Sequence, residues 1–504
     1  MPGTGAFAGF LRIRDALSTK GPGPLSRSSL LPIALAALAA ASWVLLGLDA
    51  PLTEDALFWW APQGLIVAER GLSLSPAGEL PALMRSATAE SLPQWAGGIP
   101  DYAHPPLWFW WLGLFFRLFG PTVTAAHLAC LLPAAASAAG FAALGARVAG
   151  RWSGLAVLLL PPYLAQLLRP ELDLPLLAVV PWALLALVEG RWGWFFALGL
   201  LAPWCKEPGV LLALPAFARA MQERRLHPAA LAPLLGLGLW ALVGPGLARP
   251  EHSPASALAW LSDLRWALQL VFVEQGRWAL LLGAALGWRG LRYPPVGLGL
   301  SFGLGWLLFF SGVAFFVSRT PGIAFTHVRY FLPGMCVLVV ILAGRLPFLA
   351  LLGLPFLRAP SPFGPEASLW GQDAARAEQA AAPWIAARLD EGERVWVGSY
   401  QAAGLSQPWA GYVEAPLHGL SVYGPDTPPA ALAEGDLFVV AAYGEPAGRL
   451  GRELPLSPEP SFTVGEATVS VYRVGSVYRS APPGPSAPPP SPAAGAPAAP
   501  PSAP

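Results

Sequence analysis

Charge is scarce in this chain: Lys, Arg, Asp and Glu together make 12% of 504 residues, about half the share usual in a soluble globular protein. The 31 basic and 30 acidic residues leave a formal net charge of +1. That balance offers no electrostatic footprint for nucleic acid or an acidic macromolecule. Cysteine is nearly missing. Cys130, Cys205 and Cys336 lie in or beside apolar stretches with no CxxC pair, which argues against a disulfide framework or thiolate metal site and for small packing residues. The histidines show no metal-ligand spacing. A nucleotide-binding loop is also lacking.

Apolar residues take the place of the missing charge. They make up 55% of the chain, and stretches of roughly 20 residues, the length needed to cross a bilayer, recur through the first 360 positions. Arg12, Arg14, Lys20 and Arg27 precede the first run, 29–48. That run is too long for a signal-peptide core, and the acids that follow do not resemble a cleavage site. It is read as a retained helix that starts in the cytoplasm, since loops rich in Lys and Arg stay inside. Residues 49–120 then form a long outer loop with an amphipathic piece at 56–69. Its 106–119 segment is short, carries Arg117, and reads as an interfacial helix.

Further segments at 121–144, 153–168, 174–188, 192–205, 209–218, 229–247, one ending near Trp288, 296–317, 330–343 and 346–357 complete about eleven membrane helices. The short ones near 153–218 are expected to be tilted, broken or re-entrant. Many of the 22 tryptophans cluster at segment ends, as in Phe58-Trp59-Trp60 and Trp108-Phe109-Trp110-Trp111, which suits the membrane interface.

The composition changes after residue 361. Residues 372–389 read as an amphipathic helix, 394–398 and 436–442 as short buried strands, and 461–464 with 468–474 as a terminal hairpin about Gly465-Glu466. The fold expected is therefore an α-helical polytopic membrane protein with a small α/β domain. Its parts are a basic cytoplasmic N-terminus (1–28), a membrane domain (29–358), the extracytoplasmic domain (361–476) and a Pro/Ala-rich tail (480–504) that cannot form a core.

The threading segregates the charges. Glu54, Asp55, Asp101, His104, Glu171, Asp173, Lys206, His327 and Arg329 all fall on the outer side, while the inner turns carry Arg and almost no acid. Each motif has a plain structural explanation as well. Glu54-Asp55 and Asp173 could cap helices, and Lys206-Glu207-Pro208-Gly209 could be only a turn. His104-Pro105-Pro106 could be a rigid loop, and Arg329-Tyr330 an interfacial anchor.

Taken in order, four of these motifs resemble the C-type fold of membrane glycosyltransferases that use polyprenyl-phosphate sugars, notably protein O-mannosyltransferases and the aminoarabinose transferases of lipid A. They are Glu54-Asp55, His104-Pro105-Pro106-Leu107, Asp173-Leu174-Pro175 and Lys206-Glu207-Pro208-Gly209, and the resemblance spans roughly 30–350. That family's acidic pair runs Asp then Glu; here the order is reversed, which leaves open which of Glu54 and Asp55 has the principal role.

The resemblance implies transfer of a sugar from a polyprenyl-phosphate donor to a lipid, glycan or protein acceptor, on the outer face of a bacterial inner membrane. Glu54, Asp55 and Asp173 would then be catalytic. Asp101, His104, Glu171, Lys206, Arg329 and Tyr330 would bind substrate, with Lys206 and Arg329 on the donor phosphate. The resemblance fixes no cofactor, and the loop carboxylates leave room for a divalent cation. Apart from donor and acceptor, membrane lipid is the partner expected. A transporter or flippase would place ionisable groups near mid-span, and a non-catalytic scaffold would tolerate loss of the loop acids. The clustering at segment ends favours the enzyme. Reporter fusions at residues 80 and 430 are expected to report one and the same outer compartment; opposite compartments would overturn this threading.

Overall fold

The computed structural model describes residues 27–53, 55–84, 104–244, 257–286, 294–311, 328–344, 346–361, 365–423, 431–441 and 454–475. Glu54, Asp101 and His327, the N-terminus before Arg27 and the 480–504 tail lie outside the described residues.

The helical body begins with α1, Arg27–Leu46. It is apolar on every side, and it turns one face inward through Ala36, Ala40 and Val44. This four-residue spacing places the three side chains above one another on the helix. A π-helical turn at Ala56–Trp60 runs into α2, Ala61–Arg70, and α2 packs against α3, Leu107–Phe119. At about 1.5 Å per residue, the 13 residues of α3 reach only about 20 Å and are too short to cross a bilayer. The central helix is α4, Val123–Val148, which is rich in alanine along its buried faces. Small residues let the backbones of neighbouring helices come close. A Cβ on Gly140 would stand 2.7 Å from Pro181, so the next long helix could not lie where it does against a larger residue there.

Residues 153–168 are broken, as expected of the short segments. A 3₁₀ stretch, Ser153–Leu159, gives way at extended Leu160 to α5, Pro161–Leu167. The residue before a proline is pushed away from helical angles, and Pro161-Pro162 begins the new helix. Then come α6 (Asp173–Val188) and α7 (Trp192–Cys205). The stretch expected at 209–218 is a 3₁₀ turn, Glu207–Leu212, continued by α8, Ala213–Glu223. Next are α9 (Ala232–Val243), α10 (Ala257–Phe272), α11 (Trp278–Leu286), α12 (Pro294–Ser311) and α13 (Leu332–Ala343). The 346–357 segment is a 3₁₀ helix, Pro347–Phe356. Helix α1 packs along α4, α4 along α6, α6 along α7, and α7 along α9. Among the described residues three helices, α1, α4 and α12, are long and apolar enough to cross a membrane; six further apolar helical segments are shorter.

The C-terminal domain carries α14 (Trp370–Asp390), β1 (Val395–Gly398), α15 (Ser399–Ser406), β2 (Ser421–Tyr423), β3 (Leu437–Val440), β4 (Leu456–Val464) and β5 (Ala467–Val474). The sheet order is β2-β1-β3-β5-β4, with β1 parallel to both neighbours and β5 antiparallel to β3 and β4. Val395, Val397, Leu437, Val439, Val469 and Val471 are buried in one core with Ala377, Ala381 and Ile385 of α14, while Trp396, Phe438 and Tyr423 fill a second one. The expected hairpin is present, turning through Gly465 at φ +58°. Its first strand starts earlier than expected, at Leu456, with a register shift between Pro458 and Ser461. Prolines are tolerated there because β4 is an edge strand.

The domain is tied to the helical body at the first loop. Leu52 N–H donates to the Ala410 carbonyl at 3.0 Å, Tyr412 Oη donates to the Leu52 carbonyl at 2.9 Å, and the Phe58 and Tyr400 rings meet edge to face at 4.4 Å.

Among the described residues, one acid of this domain is enclosed without a cation beside it. Glu378 on α14 is 2% exposed, and burial pushes its carboxyl from 4.5 up to about 8, against a hydrogen bond from Gln401 that favours the charged form. The folded state therefore holds this proton over a range in which the unfolded chain has lost it. Stability is complete below the unfolded value and falls as pH rises from about 4.5 toward about 8. Glu378→Gln is expected to flatten this dependence and to raise the melting temperature in detergent at pH 8 relative to the unsubstituted protein. Melting curves at pH 5 and pH 8 check it.

Candidate active site

The site grows from the N-terminal end of α6. Its first residue is Asp173, and the preceding turn carries Arg169 and Glu171. That turn is held by Trp108 of α3, whose indole donates to the Pro170 carbonyl at 3.0 Å. Asp173 receives Lys206, the residue after α7, at 2.6 Å. The backbone is extended at Lys206, between the end of α7 and the 3₁₀ turn that carries Pro208 at its second position, and the lysine side chain is turned inward. It is 3% exposed, and its Nζ lies 3.8 Å from the centre of the Tyr330 ring.

Arg329 is the hub. It sits in the short 3₁₀ turn Val328–Phe331 ahead of α13 and is 2% exposed. One terminal nitrogen of its guanidinium, Nη2, makes a short ion pair with Asp55. The other, Nη1, lies 3.1 Å from Glu366 and 3.4 Å from Glu171, and Nε is 3.7 Å from Asp173. Arg169 stands 3.7 Å from Glu366 and 3.9 Å from Glu171. Four carboxylates, Asp55, Glu171, Asp173 and Glu366, thus share three cations, Arg169, Lys206 and Arg329. Charges this deep cost several kcal/mol each unless paired, so the cluster stands or falls as a unit. Burial pushes the Glu171 carboxyl up, and the Arg329 and Arg169 guanidiniums pull it back.

The first loop brings Asp55 to the hub through an unusual backbone. Asp55 caps the π-helical turn with helical angles and makes no side-chain capping bond, so the simple N-cap explanation does not account for its carboxylate. Single π turns are frequent at functional sites. Here the turn directs Asp55 toward Arg329 while Ala56, Leu57, Phe58 and Trp60 stay buried.

His104 stands apart from the hub as one half of a second pair. Its Nδ1 lies 2.9 and 3.2 Å from the two Glu207 oxygens, with the Trp60 ring edge-on at 5.2 Å. The structure therefore joins Asp55, Glu171, Asp173, Lys206, Arg329 and Tyr330 in one group and puts His104 in a neighbouring one; Glu54 and Asp101 lie outside the described residues. Sequence reasoning passed over Glu366, Arg169 and the pairing role of Glu207. Glu366 had only one signal, that it is an acid soon after the last apolar segment. Among the described residues no group of three or more His, Cys, Asp or Glu is arranged to hold a metal ion.

At the other end of α6, about 24 Å away for its 16 residues, the charges are of a different kind. Arg147 and Arg191 pair with Glu189 at 2.6 and 3.0 Å, and Arg219 caps the helix through the Leu187 and Val188 carbonyls. These are ordinary helix-end contacts for cations at a C-terminus.

Two solved structures are similar to this chain: ArnT from Cupriavidus metallidurans bound to undecaprenyl phosphate, and the same protein in the apo state. Each is 15% identical, and each match covers 87% of this chain and 97% of the other, with TM-scores of 0.47 and 0.45. No protein-family profile matches the chain, and no curated protein does. The functional reading therefore rests on the site's own residues.

Proposed function

We propose that this chain is a membrane glycosyltransferase that moves a sugar from a polyprenyl-phosphate donor to a lipid, glycan or protein acceptor on the outer side of a bacterial inner membrane, built on about eleven membrane helices. The observation that carries this reading is the enclosed cluster in which Asp55 and Asp173 face Arg329 and Lys206 at the helix ends. The order of the four motifs supports it.

The chemistry asks for these groups. A first-loop carboxylate, from Asp55 or Glu54, takes the proton of the acceptor hydroxyl or amine. The acceptor oxygen or nitrogen forms a bond to the anomeric carbon of the sugar. The bond from that carbon to the phosphate oxygen breaks, and the polyprenyl phosphate leaves with one more negative charge. Arg329 and Lys206 stabilise that growing charge; arginine's planar fork suits a phosphate.

The ion pair between Arg329 and Asp55 links the two halves of the reaction. A phosphate arriving at Arg329 competes for the guanidinium and releases the Asp55 carboxylate toward the acceptor, so donor binding readies the base. Asp173 holds Lys206 in place. His104, Glu171, Tyr330 and Asp101 complete the substrate surface, and apolar helix faces accommodate the prenyl chain.

Asp55→Asn, Glu54→Gln and their double variant, each purified in detergent with a synthetic polyprenyl-phosphate sugar, test the reading. Loss of the base is expected to lower turnover by about a hundred- to ten-thousand-fold while membrane insertion stays normal. Arg329→Lys keeps the charge but loses the fork, and donor use should fall while acceptor binding holds. Near-normal activity in all of these variants would sink the assignment.

A further inference from the structure

The Glu366 carboxylate lies between two buried guanidiniums, yet it belongs to the segment that leads into the C-terminal domain. The next residue, Ala367, is tied to a turn of the helical body with a strained backbone. Between α10 and α11 lies the 3₁₀ turn Glu274–Gly276, in which Gln275 has φ +51°. A non-glycine residue in this left-handed region is uncommon and costs free energy unless its surroundings impose it.

Here they do. Arg277 is 3% exposed and binds the Leu270 carbonyl through Nε at 2.9 Å and through Nη2 by a shorter contact, while its Nη1 donates to Gln275 Oε1 at 2.7 Å. With its oxygen fixed by a cation, the Gln275 amide must present its nitrogen on the other side. Nε2 donates to the Ala367 carbonyl at 2.8 Å. The turn has no room to shift: a Cβ on Gly276 would lie 2.7 Å from the Leu352 carbonyl oxygen.

We propose that Gln275 is a positioning residue of the ionic site, fixing Ala367 and so the Glu366 carboxylate between Arg169 and Arg329. Glu366 and Asp55 engage opposite terminal nitrogens of Arg329. With Glu366 held as the ion-pair partner 3.1 Å from Nη1, the guanidinium keeps its place while its Nη2 face exchanges Asp55 for a phosphate. The inference rests on the glycosyltransferase reading and deepens it, since it gives the linker segment a part in aiming the arginine fork.

Its test uses Gln275→Asn, Glu366→Gln and the double variant in the full-length protein. Asparagine accepts the left-handed backbone but, one methylene shorter, reaches neither the Ala367 carbonyl nor Arg277 Nη1, so the chain should fold and melt at a somewhat lower temperature than the parent, and kinetics are read well below that temperature. The expected outcome is a kcat about ten- to a hundred-fold lower with a polyprenyl-phosphate sugar, a donor KM changed much less, and a double variant no worse than Glu366→Gln alone. Two residues acting through one contact are not additive. Gln275→Asn turning over like the parent, or losses that multiply in the double variant, would overturn the inference while leaving the reading intact. A parent protein that transfers nothing from such donors would bring down the reading and this inference with it.

Discussion

One guanidinium organises the buried charged cluster of this protein. Arg329 is almost fully enclosed and draws on carboxylates from the first loop, from the turn before α6, from α6 itself and from the linker ahead of the C-terminal domain. An arginine cannot shed its proton in a protein, so its burial obliges these segments to bring anions to it. Several features follow from that demand. The π-helical turn aims Asp55, the indole of Trp108 fixes the turn carrying Glu171, and a strained glutamine fixes the carbonyl beside Glu366.

Among the described residues the cluster has four acids and three bases, one negative charge in excess if all are ionised. It can give up a carboxylate to a reacting proton without leaving a cation stranded, and a bound phosphate can substitute for that carboxylate at Arg329. A site of fixed ion pairs alone could be a structural lock. Asp55, whose side chain is 19% accessible against 2% for Arg329, has the partial exposure that the proposed base would need to meet an acceptor.

Much of this was legible before the structure, and the reasons are local. Asp173-Leu174-Pro175 and Lys206-Glu207-Pro208-Gly209 interrupt apolar runs, and a charge in such a place stands out against its surroundings. The helix at Trp370–Asp390 and the strands at Val395–Gly398 and Leu437–Val440 carried clear periodicity. The three-residue strand Ser421–Tyr423 is too short to show a pattern, and Pro458 and Pro460 disguised the start of the edge strand. Glu366 could not be found by spacing, because what makes it part of the site is tertiary contact across the chain with Arg169 and Arg329. The same holds for the pairing of His104 with Glu207, which are 103 positions apart. The break expected in 153–168 falls at Leu160-Pro161, where proline chemistry outweighs apolar length.

The central claim is that this cluster transfers sugar from a lipid phosphate. It is tested most directly by mass analysis of envelope glycans and polyprenyl-phosphate sugars in a strain lacking the gene, complemented with the parent chain or with the Glu54→Gln, Asp55→Asn double variant. The account predicts that one lipid-linked sugar accumulates and one glycosylated envelope component disappears, and that only the parent chain reverses both. Unchanged glycans and lipid-linked sugars in the deletion strain, or full reversal by the double variant, would contradict it.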